Sequence, residues 1–244
     1  MISITLFPGR YVQGRDALSR LGEECARLGR KVFLIASPHP RQNLLPAILP
    51  GLEQRCQVTL ESFGRQCSDP EIQRLFQLCQ QAGADLVVGL GGGKTLDAAK
   101  AVAHLAQKPA LMAPTIASTD APCSSVCVVY TPEGTFLRAD ILPRNPDTVL
   151  VDTQVMAQAP ARFLAAGMGD ALATWFEAES CREKRAPNIA GALGSMTAHA
   201  LARLCWDTLR QYGPVALASC AARSVTPALE RVVEANTLLS GLGF

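Results

Sequence analysis

The sequence has few charged and aromatic side chains, and it lacks long apolar runs. Of its 244 residues 18% are charged and 5% aromatic, and 23 Lys and Arg face 21 Asp and Glu. This small basic surplus disfavours a nucleic-acid binder, and the 48% hydrophobic content excludes a disordered chain. No run of about 18 uncharged apolar residues could span a bilayer. The start, MISITLFPGR, also lacks the pattern of a signal peptide. We therefore expect a cytoplasmic protein with no membrane or nucleic-acid partner.

No Cys-x-x-Cys motif occurs among the nine cysteines. The odd count and the scattered spacing favour reduced, buried thiols over a disulfide framework. Cys123 and Cys127 form the closest pair, but no second pair completes a set of four zinc ligands. We expect free thiols and no cysteine-based zinc site.

Short β-branched runs alternate with helical patterns in the first part of the chain. The predicted buried strands are 31–36, 57–60, 85–90, 110–114 and 148–151. Ser68 and Glu71 form a predicted capping box at the start of one intervening helix. Segments 126–130 and 135–137 are predicted to pair as a β-hairpin. This alternation predicts an α/β fold with a doubly wound, mostly parallel sheet.

Helical patterns follow one another directly from about residue 153. The predicted helices are 161–182, 189–212, 214–223 and 227–239, and Gly213 is a predicted C-cap. We predict two domains, a dinucleotide-binding α/β domain at 1–158 and an incomplete all-helical domain at 159–244. The apolar, uncapped tail at 238–244 suggests an interrupted domain with an incompletely covered core.

A glycine-rich loop, GLGGGKT, follows one predicted strand and opens a helix. Such a loop lets backbone N–H groups approach a phosphate, and the helix N-terminus adds partial positive charge. Val88 stands where a Walker A loop requires glycine, which disfavours a P-loop kinase or ATPase. A tight strand-to-helix turn remains the alternative. Asp97 and Lys100 are predicted to form a surface ion pair one helical turn apart.

A polar loop, PTIASTDAP, ends the strand at 110–114. Ligands of open α/β sheets bind outside the carboxyl ends of the strands, so this loop and the glycine loop should face one crevice. Asp120 could bind a hydroxyl group there. An Asx-turn made by Asp120 before Pro122 is an equally good interpretation.

The segment GMGDALATWFEA places Asp170, Thr174 and Glu177 on one helical face. Asp170 lies in an apolar stretch, where a buried carboxylate would need a cation or a donor. A favourable interaction with the helix dipole is the stronger interpretation on residue type alone. No histidine stands at ligand spacing from another acid or histidine, and His199 is predicted to be a partly buried helix residue.

Five motifs in order resemble one known family: GGGKTLDAAK, TIASTDAPCSS, NPDTVLVDT, GMGDALATWFEA and VTPALERVVEANTLLSGLGF. Together they are similar to the glycerol dehydrogenases of the iron-containing alcohol dehydrogenase family. Related lyases share the fold, but TIASTDAP and GMGDALATW favour the polyol dehydrogenases. The resemblance implies reversible oxidation of glycerol, a small polyol, to dihydroxyacetone with NAD as hydride acceptor and a zinc ion in the cleft. It also implies a homo-oligomer for the full-length protein.

The same resemblance assigns binding roles to individual residues. Asp120 would contact the polyol, and Asp170 would be the one carboxylate ligand of the zinc. No catalytic residue is assigned. The implied NAD-binding residues are Gly91, Gly92, Gly93, Lys94, Thr95, Thr115, Ser118, Ser124, Val126 and Tyr130.

Two departures from the family pattern limit these expectations. Ser37 stands where the family has an aspartate for the adenine ribose, which leaves the preference for NAD over NADP open. The family's two histidine zinc ligands lie beyond the segment GLGF with which this sequence ends. The alternative function is therefore a catalytically inactive, truncated chain that retains at most dinucleotide binding.

Overall fold

The computed structural model describes residues 2–243. They form a six-stranded parallel sheet with helices packed around it. The strands are Tyr11–Gly14 (β1), Lys31–Ala36 (β2), Gln57–Ser62 (β3), Leu86–Gly91 (β4), Ala110–Pro114 (β5), Val126–Tyr130 (β6), Phe136–Ile141 (β7) and Thr148–Asp152 (β8). The order in the sheet is β1-β8-β5-β4-β2-β3, and β6 and β7 form a separate antiparallel hairpin. Met1 and Phe244, which end the two predicted domains, lie outside the described residues.

The helices cover the sheet and then continue as a helical layer. They are Leu21–Leu28 (α1), Pro38–Asn43 (α2), Leu45–Glu53 (α3), Asp69–Gln81 (α4), Gly93–Ala106 (α5), Thr153–Gln158 (α6), Ala161–Lys184 (α7), Met196–Ala221 (α8), Pro227–Glu234 (α9) and Ser240–Leu242 (α10). A short 3-10 helix, Ala17–Arg20, precedes α1, and a π-helical segment, Ala235–Leu239, joins α9 to α10. No helix within residues 2–243 is long and apolar enough to cross a membrane.

The predicted parallel sheet is confirmed. Its central strands are continuous apolar runs buried on both faces, which is typical of parallel sheets. Phe33 of β2 packs in a cluster with Leu75 and Val102 of the helices on one face. Leu34 packs in a second cluster with Leu52 on the other face. The hairpin is also confirmed. Strand β1 was not predicted, since it is only four residues long and half-buried at the sheet edge.

Two predicted helix ends are wrong. Helix α8 passes through Gly213 and Pro214 without ending, and it begins at Met196 rather than near residue 189. Gly213 is a close-packing position, because a Cβ there would lie 2.6 Å from Cε of Met168 on α7. Ser195 caps the start of α8, where its hydroxyl accepts a hydrogen bond from the backbone N–H of Ala198 at 3.0 Å.

The capping box predicted at the start of α4 is also wrong, although α4 itself is confirmed. Ser68 makes no side-chain cap hydrogen bond. The carboxylate of Glu71 instead accepts from the backbone N–H of Gly64 at 2.8 Å and pairs with Arg74. Glu71 therefore fastens the loop that precedes the helix.

The apolar tail is covered, in contrast to the exposed core that the sequence suggested. Leu242 is 5% exposed, and a Cβ at Gly243 would lie 2.8 Å from Cγ2 of Thr174 on α7. Exposed apolar side chains occur on α7 and α8 instead, among them Phe176, Met196 and Leu204. The tail residues up to Gly243 are therefore part of the packed interior.

The expectation of free, buried thiols is confirmed. All nine are free thiols, and eight of them are buried. Cys181 on α7 is the partly exposed one. The boundary between the two predicted domains stays a prediction.

Candidate active site

The glycine loop forms a tight cradle between β4 and α5. Strand β4 ends at Gly91, Gly92 caps the helix, and α5 begins at Gly93. A Cβ at Gly91 would lie 2.7 Å from Oγ of Ser37 and 2.8 Å from Oγ1 of Thr95. These contacts leave no room for a side chain at Gly91, so close packing of the loop requires glycine there. Gly93, which lines the cavity described below, opens a 14-residue helix. Such a helix start attracts anionic groups.

Lys94 is held in place by two neighbours from other segments. Its Nζ donates a hydrogen bond to Oε1 of Gln66 at 2.6 Å and lies 4.4 Å from the centroid of the Tyr130 ring. The sequence did not point to Gln66, because it lies in an irregular loop before α4 with no motif around it. The arrangement keeps the Lys94 ammonium beside the glycine loop.

A cavity of about 330 Å³ opens at the carboxyl ends of the strands. It contains most of the side chains that the resemblance assigns to the cofactor, together with Asp120. The lining residues are Gly93, Lys94, Asp97, Ser118, Thr119, Asp120, Ala121, Ser124, Val126, Val128 and Tyr130.

The remaining predicted cofactor residues lie in the loop itself or behind it. Gly91 and Gly92 form the turn, and Thr95 is a buried residue of the first turn of α5. Thr115 follows β5, and its backbone N–H donates to the carbonyl of Gly91 at 3.0 Å. These four residues shape the cradle from behind.

A second cavity of about 230 Å³ shares Asp120, Ser124 and Val126 with the first. Its lining residues are Asp120, Ser124, Val126, Asp170, Ala173, Thr174, Glu177, Ile189 and Ser240. The predicted helical face of α7 therefore points into this cavity. The two cavities form one cleft, in which the glycine loop and Asp170 lie on opposite sides of Asp120.

Asp120 lies at the centre of the cleft on a loop held by its own backbone. Its carbonyl accepts hydrogen bonds from the N–H groups of Cys123 at 2.8 Å and Ser124 at 3.1 Å. The side chain takes no part in these bonds, so the Asx-turn interpretation is wrong. Burial, followed by the nearby charge of Asp170, raises the pKa of Asp120 to about 7. A carboxyl group with this pKa can donate or accept a hydrogen bond near neutral pH.

The helical layer packs directly on the Asp120 loop. A Cβ at Gly167 of α7 would lie 2.0 Å from the carbonyl oxygen of Ala117, so the helix and the loop touch backbone to backbone. Nδ2 of Asn236 donates to the same carbonyl at 3.0 Å. Gly241 gives a further close approach, because its Cβ would lie 3.4 Å from Cβ of Asp120.

Asp170 lies in the middle of α7 and is exposed to the cleft. The helix-dipole interpretation is wrong, because Asp170 lies beyond the first turn of α7 and the dipole acts within that turn. Partial burial raises the pKa of Asp170, while contacts from the Asp120 backbone and the Thr119 side chain lower it. Asp170 also lines the second cavity, where a ligand could reach it.

The ion pair of Asp97 and Lys100 is buried, contrary to the surface pair predicted. The two residues are 5% and 3% exposed. Lys100 Nζ donates to the carbonyl oxygens of Ser124 and Val126, and Oδ2 of Asp97 accepts from the N–H of Val128 at 3.0 Å. The spacing of two residues along a helix does not reveal whether their face is buried. Here the face that carries Asp97 and Lys100 packs against the β6–β7 hairpin.

The described residues do not complete a metal site. No group of three or more His, Cys, Asp or Glu within residues 2–243 could hold a metal ion. The ring of His199 is half-buried, as predicted, and it forms a hydrogen bond with Glu179. Sequence spacing missed this pair because the partners lie 20 residues apart on two helices. Asp170 alone does not fit a bound zinc or iron ion.

This chain is similar to known proteins in both sequence and fold. The model of the family described as iron-containing alcohol dehydrogenase matches residues 8–153. A glycerol dehydrogenase of Thermotoga maritima is 59% identical over 244 residues, which are 100% of this chain and 67% of that protein. One of Pseudomonas putida is 51% identical over 97% of this chain and 65% of its own length.

A solved structure of a probable glycerol dehydrogenase from Sinorhizobium meliloti is also similar. Its TM-score is 0.94 at 42% identity, and the match covers 100% of this chain and 67% of that one. The chain thus spans about two thirds of the length of the relatives it matches.

Proposed function

The chain belongs to the iron-containing alcohol dehydrogenase family, and from that premise we propose that it binds the nicotinamide dinucleotide and the polyol of a glycerol dehydrogenase. The proposed reaction is the reversible oxidation of glycerol to dihydroxyacetone. A bound nicotinamide dinucleotide would supply the acceptor for the hydride of the carbinol carbon, and the hydroxyl proton would be released to solvent. The observation that carries the proposal is the cleft in which the glycine loop, Asp120 and Asp170 lie around a shared wall.

The cofactor would lie along the first cavity. The backbone N–H groups of the loop at Gly92 and Gly93 would bind the pyrophosphate, and the Lys94 ammonium would offset its charge. Ser118 and Thr115 would supply hydroxyl contacts beside it. Two positions support these assignments: Ser118 lines the first cavity, and Thr115 lies directly behind its wall.

The nicotinamide end would reach the part of the first cavity that adjoins the second. Ser124, Val126 and Tyr130 line that cavity, and the first two also line the second one. This placement would bring the ring next to a substrate bound at Asp120. Proximity of the reacting carbons is a large part of what such a site contributes.

Asp120 would bind a hydroxyl group of the polyol. It lines both cavities, so a substrate held there would contact the cofactor on one side and Asp170 on the other. Its raised pKa, about 7, lets the carboxyl group act as donor or acceptor toward that hydroxyl.

Asp170 is the proposed carboxylate ligand of a metal ion, and a bound metal supplies Lewis-acid stabilisation of an alkoxide. Catalytic zinc typically takes three protein ligands, and the described residues offer no such group. We therefore derive no metal-dependent step from residues 2–243. This observation favours the second candidate function, dinucleotide binding by the 244-residue chain without turnover.

Turnover and binding measurements on the same chain distinguish the two candidates. NADH formation is followed by absorbance with glycerol, NAD⁺ and added Zn²⁺ or Fe²⁺, and dinucleotide affinity is measured separately by calorimetry. Turnover that disappears in Asp170→Ala, but not in a control variant of the exposed Asp207, Asp207→Ala, supports a complete dehydrogenase. Binding without turnover supports the second candidate. Absence of both contradicts the proposal.

The proposed cytoplasmic location and homo-oligomeric state rest on the resemblance and on composition. Size-exclusion chromatography with light scattering measures the oligomeric state of the chain directly.

A further inference from the structure

The end of β2 lies beside the glycine loop, where a dinucleotide would place its adenosine ribose. The backbone N–H of Ser37 donates to the carbonyl of Leu90 in β4 at 3.1 Å. The Ser37 hydroxyl oxygen lies 2.7 Å from the position that a Cβ of Gly91 would take. The Ser37 side chain therefore packs directly against the glycine loop.

Dinucleotide-binding sheets select their cofactor at this place. An acidic side chain there bonds the ribose 2′-hydroxyl of NAD, whereas a nearby arginine accommodates the 2′-phosphate of NADP. Ser37 brings no negative charge. Its hydroxyl makes no side-chain cap bond to helix α2, so it is available as a donor.

Arg41 lies one helical turn after Ser37 and reaches across the neighbouring strand end. Its backbone N–H donates to the carbonyl of Ser37 at 3.1 Å. Its Nη1 donates to the hydroxyl of Ser62, the residue of β3 that pairs with Ala36 in the sheet. The guanidinium therefore lies at the ends of β2 and β3, one helical turn after Ser37 and on the side of β2 that faces away from β4.

The Arg41 guanidinium is not neutralised by a carboxylate of residues 2–243. Its partner Ser62 is an uncharged hydroxyl. The acids nearest to this strand end are occupied by another residue: Arg74 lies 2.8 Å from a Glu71 oxygen and 3.6 Å from a Glu61 oxygen. Arg41 and Arg74 balance the charges of Glu61 and Glu71 at this strand end. Of the two arginines, Arg41 is the one that pairs with no carboxylate of residues 2–243, so it keeps an exposed fork of donors, the geometry that binds phosphate well.

We propose that Arg41 and Ser37 bind the 2′-phosphate of NADP, so that this chain binds NADP⁺ more tightly than NAD⁺. The inference rests on the proposed dinucleotide site and names its cofactor preference. Arg41 supplies the charge-assisted hydrogen bonds, and Ser37 supplies a neutral donor where an aspartate would repel the phosphate. Since a hydrogen bond to a charged group contributes about tenfold or more in affinity, we expect at least about a tenfold preference.

Equilibrium titrations of the 244-residue chain with NADPH and NADH test the preference without any need for turnover. Competition by adenosine 2′,5′-bisphosphate against 5′-AMP tests the 2′-phosphate alone. Arg41→Gln should weaken NADPH about tenfold and leave NADH within about twofold. Ser37→Asp should reverse the preference. Arg223→Gln, which removes an exposed arginine at the end of α8, controls for the change in net charge.

Each outcome decides the inference. Tighter binding of NADPH that is lost in Arg41→Gln, but not in Arg223→Gln, supports it. Tighter binding of NADH by the wild-type chain, or equal weakening of both dinucleotides in Arg41→Gln, overturns the inference and leaves the proposed function intact. Failure to bind either dinucleotide overturns both.

Discussion

Lys100 Nζ lies 3.0 Å from Oδ1 of Asp97 in the interior of the fold, and the pair joins the helix that follows the glycine loop to the hairpin wall of the cleft. Burial alone would lower the pKa of Lys100, but the charge of Asp97 and other nearby groups raise it on balance, so the amine stays protonated. Oδ1 of Asp97 makes no hydrogen bond of regular geometry beside this ion pair. Removal of one partner therefore leaves a buried charge uncompensated.

We predict that Lys100→Met lowers the free energy of unfolding by about 3–5 kcal/mol. For a chain of this size that corresponds to a fall in Tm of about 10 °C. Calorimetry and denaturant titration measure both values. The double variant Asp97→Asn/Lys100→Met should lose less than the sum of the two single variants, because it leaves no unpaired charge.

The control for this prediction is an exposed pair of the same type. Arg203 and Asp207 on α8 lie 2.8 Å apart, and their side chains are 53% and 50% exposed. Arg203→Gln should change the unfolding free energy by less than about 1 kcal/mol. Equal effects of Lys100→Met and Arg203→Gln would contradict the buried role of the first pair.

A second prediction concerns the contact between α7 and the Asp120 loop. In Gly167→Ala the new methyl group would meet the backbone carbonyl of Ala117, which cannot rotate away. We expect a loss of about 1–3 kcal/mol in the unfolding free energy, together with weaker ligand binding at Asp120. Thermal melts and glycerol titrations by NMR measure these effects.

Gly169, two residues further along the same helix, provides the matched comparison. A Cβ there would meet no atom within 4 Å. Gly169→Ala should therefore raise the unfolding free energy by up to about 1 kcal/mol through helix propensity. Equal stability of Gly167→Ala and Gly169→Ala would contradict the close packing of α7 on the Asp120 loop.

The sequence predicted the sheet well and the cleft in part, for identifiable physical reasons. Buried parallel strands such as β2 and β4 are apolar runs that local composition reveals. The side on which a helix is buried depends on its tertiary partner, which is why the helical spacing of Asp97 and Lys100 alone predicts a surface pair. Gly213 has the local features of a helix end, but contact with Met168 of α7 keeps the helix continuous.

A third prediction concerns the thiols. Burial raises the pKa of Cys127 and Cys205 to about 12, so neither forms a reactive thiolate near neutral pH. Cys181 is the one partly exposed cysteine. In the native chain we expect a thiol reagent to modify Cys181 first, and all nine cysteines to react only after unfolding. Peptide mass spectrometry identifies the modified residue.

Cys181→Ser is the control for the thiol experiment. The variant should show no rapid labelling in the native state and eight reactive thiols in denaturant, one fewer than the nine of the parent chain. Rapid labelling of Cys127 or Cys205 in the native state would contradict the burial of these two thiols.

The central claim is that the loop at Gly91 binds a nicotinamide dinucleotide. The most direct test is calorimetric titration of the 244-residue chain with NADPH and NADH, repeated on Gly91→Ala and on Gly51→Ala. A Cβ at Gly91 would lie 2.7 Å from the Ser37 hydroxyl, whereas one at Gly51 in α3 would meet nothing within 4 Å. We predict saturable binding at one site that is weakened about tenfold or more in Gly91→Ala and unchanged in Gly51→Ala. Absence of binding by the parent chain, or equal affinity in all three proteins, would contradict the claim.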